Sequence, residues 1–165
     1  MSKKLLVAIV IIVAGILGVA VGVLLVPQGG VVSQEQNVQG TLEEIMSKVY
    51  AGISQENLPM MLTNMEVTDE NVEYYVGTSD IDYKEALVSE SGVGSIAHSV
   101  VLVRLNDASK AGDVVTKIKQ NADPRKWICV EASNVIVKSK GDLVILIMSN
   151  DELAPKLDAN FEGLK

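Results

Sequence analysis

YKEALVSESGVGSIAHSVVLVRLNDASKAGDVVTKIKQNA, residues 83–122, reads as strand, turn, strand and helix. YKEALVSE (83–90) is strand-like, SGVGS (91–95) is a turn, IAHSVVLVRL (96–105) is a long β-branched strand and KAGDVVTKIKQNA (110–122) is a helix. The order then recurs: WICVEASNVIV (127–137) is strand-like, KSKGD (138–142) a turn, LVILIM (143–148) a strand and DELAPKLDANF (151–161) a helix. Two successive ββα units predict an α+β fold, with a mainly antiparallel sheet of four or five strands and packed helices.

The helical faces support this. Ala111, Val114, Val115 and Ile118 recur at i, i+3, i+4 and i+7, the spacing of one buried stripe. Leu153, Leu157 and Phe161 do the same in the last helix, where Ser149 and Glu152 have capping-box spacing and Pro155 is tolerable in the first turn. SVVLVRL and LVILIM are apolar at successive positions instead of alternating, so both sheet faces must be covered. The repeat helices are expected on one face, and a helix from Thr41, or a partner, on the other. Ser133 and Asn134 are expected to bulge or split the strand that begins at Trp127.

Upstream, TLEEIMSKVYAG (41–52) opens with Thr41 and Glu44 as a capping box. Leu42, Ile45, Met46 and Val49 form its apolar face, and Gly52 is its expected stop. Pro59 breaks the next segment; a short strand near Met65 and a helical turn or two between Asp69 and Val76 are expected.

Before this domain lies LLVAIVIIVAGILGVAVGVLLV (5–26), with no charged or strongly polar residue. As a helix its 22 residues would reach roughly 33 Å, enough for a hydrocarbon layer of about 30 Å. A cleaved signal peptide would have a shorter apolar run ending at a small-x-small site; Ala20 and Gly22 offer one, but VLLV follows directly. The expectation is a retained transmembrane helix at 5–26, a cytoplasmic stub at 1–4, a flexible linker at 27–40 and an extracytoplasmic domain at 41–165. Lys3 and Lys4 set the orientation, because positive flanks stay in the cytoplasm. Ala14, Gly18 and Gly22 fall four apart and form a small-residue stripe suited to self-association of the span.

Charge narrows the partners. The chain carries 14 basic and 21 acidic residues, a formal −7, and two of the bases precede the apolar run. The acidic remainder disfavours nucleic acid as a partner. Aromatics make up only 4% of the chain, which weighs against modules that grip flat ligands. One cysteine and one histidine provide neither a disulfide nor a Cys- or His-based metal cage, and no metal or cofactor is expected.

The individual candidates are read against this background. His98 in SIAHSVV, beside Ser95 and Ser99, lacks an orienting acid and reads as a satisfied strand histidine. Cys129 reads as a buried thiol. Asp80 and Asp82 in GTSDIDY read as a capped turn, two carboxylates being too few for a hard cation. Neither SGVGS nor GDVVTK has phosphate-loop spacing. Arg104 and Glu131 interrupt apolar strands and are expected either as a structural cross-strand pair or as polar anchors of a groove. Together with Arg125 and Trp127 they form the candidate ligand-binding set.

In NADPRKWICVEA (121–132), Asn121 is an expected left-handed stop, Asp-Pro turns the chain, Arg125 and Lys126 are expected in water, and the strand starts at Trp127, with Cys129 on the same face. Together with YKEALVSESGVGSIAHSVVLVRL and GDLVILIMSND, the stretch DPRKWICVEA resembles an uncharacterised bacterial family known as domain of unknown function 4358. The resemblance covers about 41–148. It implies a membrane-anchored or lipid-anchored protein with one small domain outside the membrane, although the lipid-bearing cysteine of the lipoprotein members is missing. It implies no activity. The expected role is a non-enzymatic interaction module of the cell envelope, partnering itself through the span or another envelope protein; the alternative is an extracytoplasmic small-ligand-binding or sensing domain.

Overall fold

A computed structural model describes residues 37–165. The expected span at 5–26, including Ala14, Gly18 and Gly22, lies outside the described residues. Among the described residues, no helix is long and apolar enough to cross a membrane.

The elements follow in order: α1 (Leu42–Val49), β1 (Leu62–Glu66), α2 (Val72–Val76), β2 (Tyr83–Ser91), β3 (Ser99–Leu105), α3 (Ala111–Asn121), β4 (Asn134–Lys140), β5 (Leu143–Ser149) and α4 (Ala154–Glu162). The five strands form one sheet in the order β1-β2-β3-β5-β4, each neighbouring pair antiparallel. β3 and β5 are buried at every position, as their unbroken apolar runs require. β4 and β5 join through Gly141-Asp142, with Gly141 at φ +57, a conformation that glycine adopts without Cβ strain.

β3 and β4 both run antiparallel to β5, so they are parallel to each other, and α3 carries the chain between them in a split β-α-β crossover. Two cores result. Leu87, Val100, Leu102, Leu143, Ile145 and Ile147 pack against α1 and α4. Val88, Val101, Val103, Val144, Leu146 and Met148 pack against α2 and α3. The helices of the two ββα units therefore lie on opposite faces, which corrects the expectation that they share one. A strand that is apolar on both sides carries no mark of which helix covers which side.

The capping box at α1 is formed, with Thr41 Oγ1 accepting from the Glu44 amide and Glu44 Oε2 from the Thr41 amide. Leu42, Ile45, Met46 and Val49 are all buried. At α4 the cap differs from expectation: Asn150 Oδ1 accepts the amides of Glu152 and Leu153, while Ser149 turns inward to His98. Asn160 on α4 in turn donates to the Val49 and Ala51 carbonyls and closes the end of α1.

Three further corrections concern local geometry. β4 begins at Asn134, not Trp127, and residues 127–133 form a loop. The register irregularity lies in β2, between Tyr83 and Glu85, not at Ser133-Asn134. Asn121 stays in α3; Met61 and Cys129 are the non-glycine residues with positive φ among those described.

Candidate functional site

The loop after α3 is built by its own side chains. Asp123 Oδ1 accepts the Arg125 amide, Pro124 prevents the helix from continuing, and the Ala132 amide donates to the Pro124 carbonyl at 2.9 Å. This closed loop turns Lys126 into the protein. Its Nζ lies 2.8 Å from Glu90 Oε1 and donates to Ser99 Oγ at 3.2 Å. The rings of Tyr75, Tyr74 and Trp127 surround the ammonium at 4.7, 4.8 and 5.1 Å. Only 4% of the Lys126 side chain and 11% of that of Glu90 are exposed, so this is an interior ion pair.

Burial lowers the Lys126 pKa, and the hydrogen bond and charge of Glu90 oppose that shift. The phenols of Tyr74 and Tyr75 are raised, first by burial and then by the Glu90 carboxylate. The expectation of a solvated Lys126 is thus overturned, although Arg125 is exposed as expected. Sequence reasoning places Lys126 in water and assigns no role to Glu90, Tyr74 or Tyr75. One signal was present: adjacent tyrosines and the lone tryptophan of an aromatic-poor chain are natural company for a cation.

Outside this box, Arg125, Trp127 and Glu131 line an open pocket of about 430 Å³ together with Cys129 and Val130. Three of the four expected ligand-binding residues therefore meet. Trp127 Nε1 is buried without a hydrogen-bond partner. Cys129 is exposed at φ +65, which corrects the buried thiol: a loop, not a strand, carries it.

Arg104 stands apart, and neither of its expected roles holds. It lies at the opposite end of the sheet from Glu131, next to Leu143 of β5. Its Nε donates to Glu85 at 2.8 Å, Nη1 to the Val38 carbonyl at 3.0 Å and Nη2 to the Gly40 carbonyl at 2.9 Å, with Asp142 at 3.4 Å. The guanidinium is spent on pinning the segment before α1 to the sheet, and nothing remains for a ligand.

His98 is 1% exposed, with Nε2 2.7 Å from the Tyr50 hydroxyl and Nδ1 2.8 Å from Ser149 Oγ. Burial lowers its pKa to about 4, so it is neutral at physiological pH. This is the satisfied histidine that was expected. Asp80 pairs with Lys117 at 2.7 Å, and Asp82 accepts from the Asn106 side chain. Among the described residues, no group of three or more His, Cys, Asp and Glu side chains is placed to hold a metal ion.

Several exposed apolar side chains lie at the Lys126 end of the strands, Met60 and Met61 beside one edge strand and Val135 on the other. Met60 and Met61 precede β1 and bond to Ser91 and Gly92; Ile128 tips the loop, Val135 opposes Met148, and Tyr74 flanks Lys126. Ile128, Met61 and Met60 are 78%, 70% and 66% exposed, levels that give water a cost at each. Comparison with protein-family models, with curated proteins and with solved structures returned no match.

Proposed function

We propose that this chain is a single-pass, membrane-anchored protein whose extracytoplasmic domain is a non-enzymatic interaction module of the cell envelope. The apolar run at 5–26, the flanking Lys3 and Lys4 and the resemblance to domain of unknown function 4358 support the anchor and its orientation. The observation that carries the interaction reading is the position of Met60, Met61, Ile128 and Val135. They lie at one end of the sheet, while Arg104 fixes residues 38–40 at the other. Seven-residue strands separate the two ends by about 20 Å. An apolar end remote from the tether's point of entry is suited to meeting another protein.

The test places a photo-crosslinking residue at 128, and at the exposed position 84 of β2, at the Arg104 end, as control, in full-length protein in intact membranes. The proposal expects discrete adducts with an envelope protein from position 128 only, and loss of the domain when whole cells are shaved with protease. Equal adduct patterns at both sites, or a domain that survives shaving, defeat it.

A second reading, an extracytoplasmic small-ligand or sensing domain, is favoured by the pocket at Arg125, Trp127 and Glu131 beside an unpartnered indole nitrogen. Saturable quenching or enhancement of Trp127 fluorescence in a metabolite screen, lost in Arg125→Ala, supports that reading.

A further inference from the structure

A separate pocket lies on the other face of the sheet, under the end of α1. Met46, Tyr50, Leu58 and Leu62 supply an apolar lining, and Asn64 and Ser89 add polar groups, around about 340 Å³. Ser47 completes the lining, and all seven residues are uncharged. Ser89, on β2 between Asn64 of the edge strand β1 and Val100 of β3, is 1% exposed, and its hydroxyl has no hydrogen-bond partner. Buried hydroxyls are seldom left so, because desolvation without a bond costs free energy. The neighbouring groups are already committed: the Tyr50 hydroxyl bonds to His98, and His98 to Ser149. Burial raises the Tyr50 phenol above its ordinary value, and the Ser89 hydroxyl beside it opposes that shift.

The geometry points to a binding site, formed by α1, Leu58 and the β1-β2 edge, for a small neutral molecule with an aliphatic body and one carbonyl or hydroxyl group. The body lies on Met46, Leu58 and Leu62, and the polar group takes the free Ser89 hydroxyl. Neutrality follows from the lining: a charged ligand would lose its hydration and meet no counter-charge. Binding is favoured over acyl transfer by Ser89, because no free general base stands beside it. The phenol is held protonated by burial, and the His98 nitrogens are both occupied. The site is independent of the interaction surface and of the anchor.

Full-length protein in lipid nanodiscs, with methionine ¹³C-methyl labels, provides the test. Hexanamide is the probe, with hexanoate and hexylammonium as charged counterparts. Hexanamide is expected to shift the Met46 methyl signal saturably, with both charged analogues about tenfold weaker or worse. Ser89→Ala is expected to weaken hexanamide about tenfold, the cost of one hydrogen bond, without loss of fold, since that hydroxyl has no partner to lose. Leu58→Trp fills the pocket mouth from a half-buried position and is expected to abolish the shift. No saturable shift, equal binding of the three probes, or hexanamide shifts unchanged by both substitutions overturns the assignment.

Discussion

Lys126 of the loop and Glu90 of β2 form an ion pair at 2.8 Å inside a ring of three aromatic side chains. Breaking a buried pair from one side leaves the other charge uncompensated. Lys126→Met is therefore expected to cost about 3–5 kcal/mol, and the double substitution with Glu90→Met clearly less than the sum of the two. Denaturant unfolding followed by Trp127 fluorescence measures both. A cost below about 1 kcal/mol would show that the pair does not hold the loop.

His98 gives the domain a pH dependence of known sign. Its pKa is about 4 in the folded protein against 6.5 unfolded, so the unfolded chain takes the proton first. The stability held above pH 6.5 is expected to fall as pH drops from 6.5 to 4, by up to about 3 kcal/mol at this site. His98→Gln should flatten that part of the profile. Unfolding midpoints of both proteins across pH 7 to 4 decide, because carboxylate titrations are common to both.

Arg104 holds residues 38–40 through their carbonyls while the Val38 side chain is buried in the core, and the loss of Arg104 should be felt there. Arg104→Met strips the Val38 and Gly40 carbonyls and the half-sheltered Asp142 of their donor, at an expected cost of about 3 kcal/mol. Arg104→Lys keeps the charge but not the fork, and should recover only part. The exposed Glu85 pair adds little to either figure. Hydrogen exchange at the Ile45 amide, in the first turns of α1, should quicken in both variants.

Gly77 ends α2 at φ +90 and packs against the end of α3. A Cβ there would meet the Asn121 carbonyl and the Ala122 nitrogen, which are backbone atoms and cannot swing aside. Gly77→Ala is expected to destabilise by about 2–4 kcal/mol, whereas Gly94→Ala, in open space, should be near neutral. Thermal unfolding of the two variants gives the comparison.

Cys129 sits exposed at the rim of the Trp127 pocket. Iodoacetamide is expected to alkylate the native protein fully at this residue, with an unfolding midpoint unchanged by the label. Protection of Cys129 until denaturant is added would show that the loop is covered.

Much of the architecture was legible from the chain. The periods of 42–49 and 111–121 gave two amphipathic helices, Thr41 and Glu44 gave a true cap, and the two-sided apolar runs of β3 and β5 gave a sheet covered on both faces. WICV departs from the expected strand because a short apolar run has the same composition in a strand and in a loop that tucks Trp127 against the core and exposes Ile128 and Cys129. Burial periodicity records whether a residue is inside, not what it meets there. Only the folded arrangement put α3 and α4 on opposite faces, since strands greasy on both sides do not distinguish them. Only it could draw Lys126 into the interior, because the stabilising partners come from α2, β2 and β3 and converge through strand pairing. Local sequence set the elements; long-range packing chose which charges the core would accept.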